Sequence, residues 1–304
     1  MKSIILSCFI IGLSSLSLVA QKELASVSLE AKDVKSIKVR GAFCDITIQK
    51  GGKTTVEGLI TGKGDREDYQ IFTEVKGETL FVEVRTTSRG WNVIEESYLS
   101  IEVDSEVGQI EVNTSSGDLE ARGLMAKGIE LGATSGDIYA QGLSANNIYV
   151  KSTSGDMELE ELVGAVILKS TSGRQKISQV KGSLETQCTS GDIEISYFEG
   201  SVAAVTTSGD IEVRNGKGFR RAVSTSGDIY GRALLLDRDV YLKATSGDIS
   251  LSLMNMADDL SFNLESNSGN LRALNRRGED EIYIQNGDLW VEAKSTSGDI
   301  TIEN

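Results

Sequence analysis

The sequence predicts an all-β chain wound as a single-stranded parallel β-helix, a β-solenoid with coils of about 18 residues. Three observations carry that expectation. A Ser-Gly pair recurs with glycines at Gly117, Gly136, Gly155, Gly173, Gly191, Gly209, Gly227, Gly247, Gly269 and Gly298, at spacings of 19, 19, 18, 18, 18, 18, 20, 22 and 29. Apolar residues alternate with polar ones on both sides of each glycine, and the phase shifts by one across it. A unit this short cannot bury its own apolar face, whereas stacked copies bury a shared one.

Taken in order, residues 1–20 read as a signal peptide. Met1, Lys2 and Ser3 precede an apolar run that closes on Leu18, Val19 and Ala20, before the polar Gln21, Lys22 and Glu23. Serines interrupt the run, which argues against a membrane anchor. Cys8 has most of the apolar run after it, which argues against lipidation there. No later segment has the length and apolarity of a transmembrane helix.

Residues 21–109 lack the motif but keep the β pattern. Residues 36–49 alternate around Ile37, Val39, Ile46 and Ile48, and residues 80–85 and 99–103 do likewise, with turn signals at 51–52, 62–65 and 76–77. This segment is expected to form irregular coils that open and cap the solenoid, with an independent small β domain as the alternative.

Residues 110–304 then form the regular solenoid. Seven residues before the glycine stand Ile110, Ile129, Ile148, Val166, Leu184 and Val202; five before stand Val112, Leu131, Val150 and Leu168. Three before, the column holds only small residues, among them Thr114, Ala133, Ser152, Ser170 and Cys188. After the glycine, Leu119, Ile138, Met157, Ile193, Ile211, Ile229 and Ile249 begin the opposite phase. Glycine takes positive φ without penalty, so a corner at this site explains the shift. The recurrent serine is expected to point inward there and bond a free backbone group. Gly164, Gly182, Gly200 and Gly218 mark a second corner in the same register, which Asn146 extends by one coil. The spacing of 29 reads as one period with an insertion.

Asp118, Asp137, Asp156, Asp192, Asp210, Asp228, Asp248 and Asp299 fall in one column. Stacked carboxylates repel by roughly 1 kcal/mol per pair in water, so something must offset them. Bonds to nearby turn N–H groups are the structural answer, and a bound Ca²⁺ the functional one. Arg174 breaks the column, as charge relief, and is followed by Gln175 at an inward position, where it is expected to mark a bend. The outward positions Tyr139 and Tyr230 are candidate sugar-stacking groups. Tyr283, Trp290, Arg276 and Arg277 cluster in the last repeat, as an end plug or a partner site. Cys44 and Cys188 are read as small buried thiols, with a disulfide between them left open.

Composition excludes several chemistries. The chain has no His, which removes Ser-His and Cys-His machinery and imidazole metal ligands. Its formal charge of -14 repels phosphate backbones and argues against nucleic-acid partners.

The Thr-Ser-Gly-Asp-Ile repeats, behind a signal peptide and a β-rich opening such as residues 36–49, resemble the bacterial putative adhesin family of exported β-solenoids, related to the putative auto-transporter adhesin head domains. The resemblance implies the same architecture and a surface role, and it carries no catalytic residues. The expectation is a non-enzymatic exported protein of the periplasm, cell surface or exterior, acting as an adhesin or an envelope structural or interaction protein. No catalytic, cofactor or metal residues are assigned. Expected partners are a cell-surface, glycan or envelope protein surface, with end-to-end self-association as a further mode. A polysaccharide-active enzyme using carboxylates and a calcium-binding repeat module are the alternatives.

Overall fold

The computed structural model describes residues 22–87, 93–105 and 107–304; the signal-peptide expectation lies outside these. In chain order the strands are β1 (Glu23–Ala31), β2 (Ser36–Arg40), β3 (Asp45–Lys50), β4 (Thr54–Lys63), β5 (Tyr69–Lys76), β6 (Thr79–Thr86), β7 (Val93–Val103), β8 (Gln109–Thr114), β9 (Leu119–Arg122), β10 (Met125–Ala133), β11 (Ile138–Ser152), β12 (Met157–Ser172), β13 (Gln175–Ser190), β14 (Ile193–Ser208) and β15 (Ile211–Ser226). They continue with β16 (Ile229–Leu235), β17 (Val240–Ser246), β18 (Ile249–Leu253), β19 (Leu260–Ser266), β20 (Leu271–Ala273), β21 (Arg276–Gly278), β22 (Glu281–Ile284), β23 (Leu289–Ser295) and β24 (Ile300–Glu303). No helix among the described residues is long and apolar enough to cross a membrane.

The repeats stack as parallel coils in the predicted register. Ile193 lies between Gln175 and Ile211, and Val202 pairs back to Leu184. The regular coils have six inward positions: in the coil of β14 these are Ile193, Ile195, Phe198, Val202, Ala204 and Thr206, all buried. Burying each of the large ones contributes about 1.5–3 kcal/mol, and no coil could collect this alone. Volume is shared between coils too. The Phe198 ring occupies the space a Cβ on Gly216 would need, so the large residue in one coil is matched by glycine in the next.

Three corners close each coil. The predicted first corner is present, and Gly173, Gly191, Gly209, Gly227, Gly247 and Gly298 have the expected positive φ, between 103° and 159°, but three earlier members are glycine for a different cause. Gly117, Gly136 and Gly155 do not have positive φ. In each, a Cβ would instead fall closer than 3 Å to the carbonyl oxygen of the preceding coil: Cys44 under Gly117, Gly117 under Gly136, Gly136 under Gly155. Close backbone stacking selects glycine here. The second corner is as predicted for Gly164, Gly182, Gly200 and Gly218, with φ of 131°, 126°, 133° and 95°. Asn146 does not extend it; a register shift between Ser144 and Asn147 puts the carbonyl of Ala145 beneath Gly164 instead. A third, left-handed corner runs through Gly123, Gly142, Glu161, Gln179, Tyr197, Asn215 and Ala233, the non-glycine members having φ between 53° and 58°.

Stack order and chain order part company at both ends. One face runs β6–β2–β8–β10–β11–β12–β13–β14–β15–β17–β23–β19, and the next β7–β3–β9–β11–β12–β13–β14–β15–β16–β18–β24–β20. At about 4.8 Å per step, these stacks are roughly 50 Å long. The coil of β23 and β24, last in the chain, is therefore slotted between β17/β18 and β19/β20. The coil of β2 and β3 is likewise held between β6/β7 and β8/β9. The 29-residue spacing holds an insertion, as expected, although the coil that follows it stacks backwards. It contains β21 and β22, which lie antiparallel on β20 and β19 and cover that end. At the other end β4 and β5 lie antiparallel on β7 and β6, and β1 lies on β4. Antiparallel covering removes the open parallel edges that would otherwise recruit other strands.

Candidate functional site

The first corner carries the recurrent aspartate column of the repeats, so it is built up first. Its aspartates form a hydrogen-bonded ladder in two runs, interrupted between Arg174 and Asp192. The backbone N–H of Asp118 donates to Oδ1 of Asp45, that of Asp137 to Asp118, and that of Asp156 to Asp137, at 2.8–2.9 Å. The ladder continues from Arg174 to Asp156, Asp210 to Asp192, Asp228 to Asp210 and Asp248 to Asp228. At the far end Asp299 donates to Asp248, and Asn270 to Asp299, following stack order rather than chain order. One carboxylate oxygen of each ladder aspartate therefore satisfies a turn N–H of the next coil. Charge-assisted bonds of this kind offset the repulsion along an exposed column. Asp45 heads the ladder without any Ser-Gly motif.

The serine column is exposed, contrary to the expectation that it points inward. Its members do lie on one line: Ser172, Ser190, Ser208, Ser226 and Ser246 are paired in succession. The small column three residues before the glycine does the capping. Thr206 Oγ1 donates to the Gly191 carbonyl at 3.4 Å, Ser224 Oγ to Gly209 at 3.2 Å and Ser295 Oγ to Gly247 at 3.2 Å, while Ser152 Oγ accepts from the Gly155 N–H at 3.0 Å. The strand's alternation already assigned that column to the inside.

Gln175 is fully buried and marks no bend, since it pairs in register with Met157 and Ile193. Its Nε2 donates to Ser170 Oγ at 2.7 Å and to the Gln187 carbonyl at 2.9 Å, and its Oε1 accepts from Thr186 Oγ1. Ser170 in turn donates to Cys188 Sγ at 3.2 Å. This is a satisfied polar layer inside the core. Arg174 points outward and reaches Glu194 at 3.7 Å, an exposed ion pair worth little. Cys44 and Cys188 are free and buried. Burial pushes the Cys44 thiol up to about 11.

Tyr139 and Tyr230 both turn back to the ladder. The Tyr230 hydroxyl donates to Asp228 Oδ2 at 2.6 Å, and that bond, with partial burial, pushes its ionisation up to about 12. Tyr139 is raised by the charge of Asp137, to which it donates at 3.4 Å. Tyr283 and Trp290 come together: their ring centroids are 5.6 Å apart with planes at 40°. Tyr283 lies on the covering strand β22, and Arg276 and Arg277 on β21, so the cover itself is backbone pairing rather than an inserted plug. Among the described residues, no group of three or more Cys, Asp or Glu side chains is arranged to hold a metal ion.

A family model described as Toastrack DUF4097 matches residues 34–214 and 199–303. No curated protein matches the chain. Among solved structures, one described as a "putative cell adhesion protein" from Clostridium sporogenes is 10% identical, with 93% of this chain and 99% of that chain covered and a TM-score of 0.24. A "putative adhesin" from Bacteroides fragilis is 13% identical, covering 91% and 95%, with a TM-score of 0.35. A "putative lipid binding protein" from Parabacteroides distasonis is 15% identical, covering 92% and 96%, with a TM-score of 0.33.

Proposed function

The chain belongs to the Toastrack DUF4097 family, and on that premise we propose that it is an exported, non-enzymatic β-solenoid that works as an adhesin or interaction scaffold at the bacterial envelope or surface. One observation supports this above others. The carboxylates of the corner ladder, the recurrent acidic column of the repeats, each have one oxygen committed to the backbone of the next coil. What is left to act is a long, stiff, repetitive exterior suited to contact rather than to turnover. Fractionation of the native host tests the location, and attachment of the purified protein to cells and envelope fragments tests the role. Retention in the envelope or medium, saturable attachment and no release of sugars are expected. Release of reducing or unsaturated sugars from polysaccharide would overturn the proposal in favour of an enzyme.

A further inference from the structure

We propose that the tilted ring pair of Tyr283 and Trp290, at the covered C-terminal end, is a binding platform for neutral saccharide chains; this deepens the adhesive reading and rests on it. The two rings come from different strands. Tyr283 on β22 pairs with Asn263 of β19, and Trp290 on β23 pairs with Ser261 of the same strand, so β19 sets the distance between them. Three features make this a platform rather than a loose surface cluster. The strands beneath are rigidly packed, with Phe262 and Val291 fully buried below the outward residues. Trp290 is anchored by its backbone N–H on Asp239 Oδ1 at 2.9 Å. Ser261, on the outward phase, is fully buried and bonded to the Gly287 carbonyl at 2.7 Å, which ties down the turn leading into β23. Tyr283 nevertheless remains 59% exposed.

The surroundings select the ligand. The rings form an apolar island bordered by Asn263, Glu265 and Glu292, with Lys294 bridging the two carboxylates at 3.1 and 3.3 Å. A protein partner needs a wider apolar centre inside a polar rim. A sugar ring needs an aromatic face with hydrogen-bond acceptors and donors at its margin, which is what this island offers. The acidic border and the net charge of -14 disfavour anionic glycans.

Calorimetric titration of the full-length mature protein with cellohexaose and chitohexaose, with polygalacturonate as the anionic comparison, tests this. Binding of at least one neutral oligosaccharide is expected, weakened at least tenfold in Y283A and retained in Y283W, with an unchanged melting temperature confirming that Y283A folds. Failure of both neutral probes, equal binding by Y283A, or preference for polygalacturonate overturns the site. Attachment to cells that survives while neither oligosaccharide binds overturns the site and leaves the adhesive reading standing. Oligosaccharide binding without attachment to any cell or envelope fraction supports the site and sinks that reading. Attachment lost on protease treatment of the cells but not on periodate oxidation also overturns it, in favour of a protein partner.

Discussion

A glycine at the first corner is held there by the carbonyl beneath it. G136A sets a Cβ against the Gly117 backbone, which has nowhere to move, and is expected to cost about 2–4 kcal/mol in urea unfolding. G52A, with nothing within 4 Å, should stay within about 0.5 kcal/mol and serves as the comparison. Gln175 shows the opposite kind of constraint. Q175A leaves Thr186 and the Gln187 carbonyl without these partners in the core and should cost about 2–4 kcal/mol, while Q175I with T186A, which refills the volume and removes the stranded hydroxyl, should recover part of it. Tyr230 gives a pH signature. Its folded ionisation lies near 12, above the ordinary value of about 10, so the stability from its bond to Asp228 is complete below pH 10 and is lost as pH rises towards 12. Ultraviolet titration should show a tyrosine with a midpoint near 12 that disappears in Y230F. The ladder's role was legible from the repeated Asp and its own repulsion. The buried partners of Gln175 were not, because Thr186 is eleven residues away and meets it only across the coil.

At the scale of the element, the third corner is where local preference and fold disagree. Glu161, Gln179, Tyr197 and Ala233 hold a left-handed conformation that L-residues resist by roughly 1–2 kcal/mol each, whereas Gly123 and Gly142 occupy the same place freely. A233G should therefore stabilise the protein by about 0.5–1 kcal/mol in the same unfolding measurement, the relief of strain outweighing the added freedom of the unfolded chain. Those two glycines, 19 residues apart and in register, were the available signal for this corner. The first coil could also have been read more closely. Ile37 and Val39 are out of phase with Ile46 and Ile48, which is the same shift that each Ser-Gly-Asp corner produces, with Cys44 standing in the glycine column. The terminal coil makes a further prediction. Because β23 and β24 are flanked on both sides, their amides should exchange with solvent as slowly as those of β14, while β21 and β22 exchange faster; rapid exchange at the chain end would contradict the slotted order.

For the whole molecule, stability comes from stacking, and the acidic corner is self-sufficient. With one oxygen of each ladder carboxylate occupied by an N–H, millimolar Ca²⁺ or chelator should change the melting temperature by less than about 1 °C, whereas a resident ion would shift it by several degrees. By itself, the sequence determined the coil length, the parallel stacking, the identity of the inward columns and the acidic line along one edge. These follow from periodicity, and ten copies of one motif must respond to the same forces in the same way. Only the tertiary structure decided which small side chain caps each corner, which coil is the neighbour of which at the two ends, and where Tyr283 meets Trp290. Those outcomes depend on contacts between residues with no fixed spacing. A repeat specifies the surface that the next coil must match, and any coil carrying that surface can take the place, whatever its position along the chain.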